Sequence, residues 1–492
     1  MQTLPGYHTS GILYESAGTT VWRATRVADG VPVVVKMPTG DPPDLNRLAR
    51  WRYEHEVLSG LSLRGVVRCF GLVYDHSRPA LILEDIGGVS LRSVLGRCRA
   101  VERFLPIAIA LAETLSHLHD ARIIHKDINP NNIVYNEETG ELRLIDFGIA
   151  SRLPRENEDA KNPGLLEGTL RYISPEQTGR MNRAIDHRSD LYSLGVTFYE
   201  MLTGEAPFRA GDAMELVHCH LAKEAVPPSE LRPELPPALS EVIRKLLAKT
   251  PEQRYQSAFG LLHDLRRLQR GETSFLVGER DVSPYLLVPQ RLFGREADLQ
   301  LVQAAFARVV AGGSELLLIS GYSGIGKSSL VNELQRPVAL AGGYFLCGKF
   351  DQFRRDIPYD AVVQALLQLL RQLLLEGPVR VEALRTRCVE ALGLDAHALI
   401  ELAPELELLL GKPAHPPELG PAEAEARRGE VLGRFLGIFA AMGRPLVLFL
   451  DDLQWVDAAS LRLLRALADR DKTQLLLLVL AYRDNEITEG HP

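Results

Sequence analysis

The chain has 492 residues, 46% of them hydrophobic and 24% charged, with a formal net charge of −7. That length exceeds what one hydrophobic core serves, so two or three domains are expected, and the composition excludes bulk disorder. The slightly acidic balance offers no basic surface for nucleic acid. In chain order, "GILYES", "TVWRATR" and "VPVVVKMP" alternate like strands, the last two joined by Ala28-Asp29-Gly30, a hairpin signal because the turn needs positive φ. A helix is expected from Asp44 to Leu61, and "VVRCFGLVYD" and "ALILEDI" complete an antiparallel lobe. After Gly87-Gly88 long helical patterns take over, notably "LPIAIALAETLSHLHDARI" and "SDLYSLGVTFYEMLTG".

The helix "SAFGLLHDLRRLQR" stops at Gly271, and residues 271–290 read as a connector. Beyond it strands alternate with helices ("ELLLIS", "YFLCGKF", "PLVLFL", "LLLLVLA"), the pattern of a parallel sheet covered by helices. The Leu-rich stretch 361–411 reads as helical packing within this unit, and residues 412–424, with four prolines, as a surface loop. Five scattered cysteines without a Cys-x-x-Cys pair argue for a reducing cytoplasm rather than disulfides or zinc. The longest aliphatic run, "LLLLVLA" at 475–481, is far short of the ~20 residues that span a bilayer and reads as a buried parallel strand.

Two stretches carry chemistry. Phosphoryl transfer needs in-line positioning, metal ions on the phosphates and a carboxylate beside the attacking hydroxyl. In "IIHKDINPNNI" Asp127 can accept the hydroxyl proton, and Asn132 can bind a metal through its side-chain oxygen. "LRLIDFGIA" then supplies Asp146 at a strand end, where it can bridge Mg²⁺ to phosphates, and Gly148 lets the chain turn. Lys36 closes "VVVK", a strand position from which an ammonium reaches phosphates, and Glu54 in the following helix can pair with it.

With these motifs in place, residues 10–270 resemble the eukaryotic-like protein kinase family. The resemblance implies an α+β bilobal fold (N-lobe about 8–86, C-lobe about 87–270) and a protein substrate. It makes Asp127 the catalytic base, Asn132 and Asp146 metal ligands, and Lys36 with Glu54 the activating ion pair. It also makes "LEDI" the adenine hinge, with Glu84 and Ile86 on nucleotide and Leu83 as gatekeeper. "GTLRYISPE" resembles the end of an activation segment, with Asp190, Arg254 and Glu176 as its buried supports. Aminoglycoside- or choline-type kinases share the His-x-Asp but lack this last set.

Three positions depart from the family. "YESAGTTV" has Tyr14, Ser16 and Thr19 where glycines are expected and only Gly18 nearby, so Ser16 and Gly18 are expected to contact phosphate, with hydroxyls in place of free backbone approach. Lys126 replaces an Arg and loses its bidentate fork. Asn129 replaces a catalytic Lys, and its amide is expected to donate to the γ-phosphate without a charge. Two readings stay open: an active protein kinase, and a nucleotide-binding pseudokinase that recruits partners.

The second stretch, "LLLISGYSGIGKSSL", sets Gly321, Gly326, Lys327 and Ser328 between a strand and a helix, the Walker A pattern in its structural context. Gly321, Gly324, Gly326 and Ser329 are expected in the phosphate cradle, Lys327 on the β and γ phosphates, and Ser328 on Mg²⁺. "PLVLFLDDLQWVD" adds Asp451 for the metal and Asp452 for the attacking water, and "AYRD" offers Arg483 as a γ-phosphate sensor or a solvated strand end. "LFGRE", Walker A and "LDDLQWVD" together resemble signal-transduction P-loop ATPases related to the AAA group. Fusion of the two units resembles the N-terminal half of large bacterial signalling proteins in which a sensor and a histidine kinase follow. Expected domains are 1–270, linker 271–290 and ATPase 291–492. In such ATPases a helical lid follows the "AYRD" strand, so a fragment or truncated homologue is expected. ATP at two sites, Mg²⁺ and a protein substrate are implied.

Overall fold

A computed structural model describes residues 4–16, 18–39, 45–75, 78–152, 168–181, 183–282, 294–352, 357–374, 378–411, 421–468 and 474–486. The N-terminal part is a five-stranded antiparallel sheet in the order Tyr7–Glu15, Thr19–Arg26, Pro32–Pro38, Arg78–Glu84, Cys69–Asp75. The expected hairpin forms at Asp29-Gly30: Gly30 has φ +71° and its N–H donates to Arg26 O at 2.9 Å. Arg26 also clasps the Asp29 carboxylate at 2.7 and 2.9 Å, closing the turn from its own flank. In the centre of this sheet Lys36 lies between Val21 and Leu81, which aims its side chain at the helix Leu45–Ser59 and its Glu54.

The following helical region packs around Val101–Asp120 and Arg188–Thr203, with Pro237–Leu246 and Ala258–Gln269 closing the core. Helix 188–203 is buried on every side, so its polar residues must pair internally, and they do so at the site. Short β-structure frames the loop that carries Asp127: Ile123–Ile124 pairs with Ser151–Arg152, and Ile133–Tyr135 with Leu142–Leu144. Beyond Gly271 the chain turns back onto this unit. Phe275 and Val277 pack on its core, and the Asp281 carboxylate accepts from the N–H groups of Gln256 and Ser257 at 2.8 and 3.1 Å.

The second unit is a four-stranded parallel sheet in the order Glu315–Ser320, Leu476–Tyr482, Leu446–Asp451, Tyr344–Lys349. One face packs on helix Glu296–Val310 and the helices after the P-loop. The other packs on the Leu-rich helices, including Asp360–Leu374, Pro378–Leu392 and Pro421–Ala441. The expected strand at 475–481 is central and almost wholly buried, as a continuous aliphatic run in a parallel sheet should be. The expected loop at 412–424 is corrected at its end: Pro421 opens a 21-residue helix, a first-turn position where the missing N–H costs nothing. Residues 412–420 lie outside the described residues, as do 283–293 of the expected connector.

Candidate active site

Lys36 donates to Glu54 Oε2 and Oε1 at 2.8 and 3.1 Å and to Asp146 Oδ1 at 3.2 Å, so one ammonium joins sheet, helix and the Asp-Phe-Gly turn. Burial works against its charge, but the two carboxylates overcome it and hold the ammonium protonated above the ordinary lysine range. Burial pushes Glu54 up against the pull of Lys36, whereas Asp146, nearer solvent, is held below the usual carboxylate range by Lys36 in spite of burial.

Asp127 is held from three directions. Its Oδ2 accepts from Asn132 Nδ2 at 2.8 Å, its Oδ1 from the Thr169 N–H at 2.8 Å, and its own N–H donates to His125 Nδ1 at 3.2 Å. Gly168 makes the middle contact geometrically feasible: its φ is +100°, and a Cβ there would meet Lys126 O at 3.1 Å. The loop is anchored on Asp190, buried in helix 188–203, which accepts from the N–H groups of His125 and Lys126 at 2.9 and 2.8 Å and pairs with His119 at 3.0 Å. Burial would raise Asp190, but His119 and these amides hold it low, so it stays ionised at the centre of the unit. Lys126 and Asp146 both adopt left-handed φ (69° and 67°), conformations costing on the order of 1–3 kcal/mol each that persist only where surroundings over-determine them. Arg254 and Glu176 form a fully buried bidentate pair at 2.6 and 2.7 Å behind the loop.

Several of the expected site residues also make contacts within the protein. Asn129 is buried, and both hydrogens of its amide are engaged, on Asp127 O at 3.1 Å and Thr169 Oγ1 at 3.3 Å, while its oxygen accepts from the Asn131 N–H. It braces the loop that carries Asp127. Ser16 bonds within its own loop: its Oγ accepts from the N–H groups of Gly18 and Thr19 at 3.4 and 3.2 Å. At the hinge Glu84 pairs with Arg143 at 3.0 Å, and the Ile86 carbonyl accepts from Asn136 at 2.7 Å, so one face of this strip is tied to the Ile133–Leu144 hairpin.

At the P-loop, Gly326 (φ +89°) turns the chain into helix Lys327–Asn332. Gly321 and Gly324 also take positive φ, and Ser329 lies in the first turn of that helix. Lys327 Nζ donates to the carbonyls of Gly321 and Tyr322 at 2.6 and 3.0 Å, and Ser328 Oγ donates to Asp451 Oδ2 at 2.5 Å. Asp452, in a left-handed turn, carries a cluster that sequence reasoning missed. Gln454 donates to it at 3.0 Å, Lys349 sits 3.4 Å away at the end of the neighbouring strand, and Arg483 reaches it at 3.0 Å while also binding Glu486. Burial alone would raise Asp452, but Gln454, Lys349 and Arg483 together hold it low. The position of Lys349 at the carboxyl end of a buried parallel strand was the available signal, since ligands of such sheets bind there.

The donor sets suit a hard cation: an amide oxygen and a carboxylate in Asn132 and Asp146, and a hydroxyl already on a carboxylate in Ser328 and Asp451. Residues 7–265 match the protein kinase domain family and residues 291–480 the AAA ATPase domain family. The chain is similar to a hybrid signal transduction histidine kinase G of Dictyostelium discoideum, 33% identical over 75% of this chain and 13% of that protein. It is similar to histidine protein kinase 1 of Candida albicans, 28% identical over 74% of this chain and 17% of that protein. A probable serine/threonine-protein kinase of Streptomyces coelicolor is 31% identical over 54% of this chain and 40% of that protein. The chain thus spans well under half the length of each of these relatives. With its kinase domain covering more than half of its length, the chain belongs to the protein kinase family, here fused to an AAA-type ATPase domain.

Proposed function

We propose that this protein is an ATP- and Mg²⁺-dependent kinase that transfers the γ-phosphate to serine or threonine hydroxyls, coupled to a P-loop ATPase that acts as a switch. The observations that carry it are two bonded groups drawn from four segments of the chain, Lys36 with Glu54 and Asp146, and Asn132 with Asp127, each made by bonds of 2.8–3.2 Å. Asp127 Oδ2, oriented by Asn132, would take the hydroxyl proton as the oxygen attacks. Asn132 and Asp146 would hold the metal, which when bound neutralises charge on the phosphates. Lys36 would fix the α and β phosphates, with the hinge strip Glu84–Ile86 on adenine. In the second unit Gly321–Ser329 would cradle phosphates, Ser328 and Asp451 would hold a metal, Asp452 would orient water, and Arg483 with Lys349 would meet the γ-phosphate.

The names of the Dictyostelium and Candida relatives support a place in signalling, beside sensor and histidine kinase modules. Among the described residues no helix is long and apolar enough to cross a membrane, which supports a cytoplasmic setting. We place the kinase unit at 1–282, since 272–281 pack on it, and the ATPase at 294 onward, with the kinase unit bilobal. The self-closed Ser16 loop favours a second reading, a nucleotide-binding scaffold without phosphotransfer. Incubating the full chain with [γ-³²P]ATP, Mg²⁺ and a serine- and threonine-rich protein decides between them. The kinase reading expects phosphoserine or phosphothreonine; label confined to hydrolysed phosphate leaves only the scaffold.

A further inference from the structure

The contact between the two units adjoins the segment that touches the Asp127 carboxylate. Thr169 touches the Asp127 carboxylate, and the next residue, Leu170, joins Met181 and helix Ala213–Ala222 in a small apolar cluster around Val217 and Leu221. Leu170 directly follows Thr169, so the cluster begins one residue, ~3.3 Å of extended chain, from the contact with Asp127. That place is already taken: Ala339, in helix Gln335–Leu340 of the ATPase domain, is buried in the same cluster.

Polar contacts ring the apolar centre. Arg183, which also reaches Glu252, donates to Glu333 at 3.0 Å. Arg380 pairs at 2.8 Å with Asp212, the residue whose side chain caps the start of helix 213–222. Arg180 lies 3.5 Å from Gln372, which itself donates to the carbonyl of Phe345 in the ATPase sheet. The kinase partners thus come from the segment just after the catalytic loop's contact and from the helix beneath it, while the ATPase partners come from three separate elements.

On the ATPase side the docked helix is joined to the nucleotide site. Glu333 ends the P-loop helix six residues after Lys327, about 9 Å along it, and helix 335–340 follows at once. Val338 and Leu334 share one buried cluster with Leu330 and Val331 of the P-loop helix and with Phe345, Val447 and Leu477 of the sheet. A close-packed interior of this kind passes a shift of helix 327–332 on to helix 335–340 rather than absorbing it. Lys327 must leave the carbonyls of Gly321 and Tyr322 to meet a phosphate, so nucleotide binding has a local rearrangement to transmit.

We propose that residues 170–181 and helix 213–222 form a docking face for helix 335–340, and that this contact closes the kinase to protein substrates until nucleotide at the P-loop loosens it. The gate rests on the kinase function proposed above, whereas the contact does not. The test uses the full chain with two variants altered only on the ATPase side: Ala339→Arg, which puts a charge into the apolar cluster, and Glu333→Arg with Arg380→Glu, which reverses the rim without touching a core. Hydrogen exchange reads the contact, and steady-state phosphorylation of a serine- and threonine-rich protein reads the gate.

Without ATP either variant is expected to speed amide exchange in residues 213–222 about tenfold; in a Lys327→Ala chain, whose contact ATP does not loosen, it is expected to raise kcat/KM for the protein several-fold, with the KM for ATP at the kinase site unchanged. ATP added to the native chain should speed the same exchange, and to a Lys327→Ala chain should not. Unchanged exchange in both variants overturns the docking face. Faster exchange without a change in kcat/KM for the protein overturns the gate. Equal incorporation by native and Asp127→Ala chains sinks the kinase reading, and the gate with it, while exchange still reports whether the units touch.

Discussion

At the kinase cleft the lysine reaches partners 18 and 110 residues away, whereas at the P-loop Lys327 folds back on carbonyls five and six residues behind it. The first arrangement compensates the charges that will face nucleotide before it arrives, through contacts only the finished fold can make. The second leaves the cation on its own loop, so binding there must exchange one set of hydrogen bonds for another. A preorganised cleft suits catalysis, because no reorganisation is left for the moment of reaction. A loop that must rearrange suits a switch, because ligand binding then changes structure.

Substitutions sharpen this contrast. The largest stability loss is expected behind the kinase loop: Arg254→Leu leaves the fully buried Glu176 carboxylate unpaired, at about 3–5 kcal/mol, seen as a lowered Tm of the first unit in calorimetry. Next comes a pH effect. Burial, helped by Lys249, pushes His220 down to about 3 from an ordinary 6.5. Its neutral-ring contribution is therefore whole above pH 6.5 and lost as pH falls from 6.5 toward 3, so thermal stability should decline across that window. His220→Gln, which cannot titrate, should flatten the acid limb of a Tm–pH profile by a few kcal/mol, on the scale of ~1.4 kcal/mol per pKa unit.

At the P-loop, Gln454→Leu removes the amide that joins Asp452 to the Arg483 backbone. It should slow ATP hydrolysis by the second unit roughly tenfold, the worth of about one hydrogen bond to a charged group, while leaving kinase turnover per Asp127 site intact. The smallest effect is expected at Ser16→Gly, which frees the Gly18 and Thr19 amides and should lower the KM for ATP at the kinase site about two- to fivefold. Asn129→Lys should slow phosphotransfer, because a lysine cannot keep the bonds to Asp127 O, Thr169 Oγ1 and the Asn131 N–H.

What could be read from sequence divides along the same line. Asp127, Asp146, Lys327 and the strand ends carrying Asp451 and Arg483 are legible because spacing along the chain alone puts each at a strand end or turn. The strands and long helices follow from periodicity and turn residues such as Asp29-Gly30. The inward use of Ser16 and Asn129 is not legible, because an amide or hydroxyl beside a phosphate site looks the same whether it serves the ligand or its own loop. Lys349 and Gln454 escape for another reason: they meet Asp452 only when neighbouring strands align. Pro421 was misread since proline marks loops and first helical turns alike. The docking of helix 335–340 on helix 213–222 joins residues more than a hundred positions apart, with no motif on either side.

The central claim is that phosphotransfer belongs to the first site and switching to the second. It is tested most directly by measuring ³²P incorporation into a serine- and threonine-rich protein by full chains carrying Asp127→Ala or Lys327→Ala. Asp127→Ala should lose about 10²–10⁴-fold, the contribution of a positioned base, while the Lys327→Ala chain still transfers phosphate, only several-fold more slowly because its docking contact stays closed. Incorporation that survives in Asp127→Ala and disappears in Lys327→Ala would contradict the account.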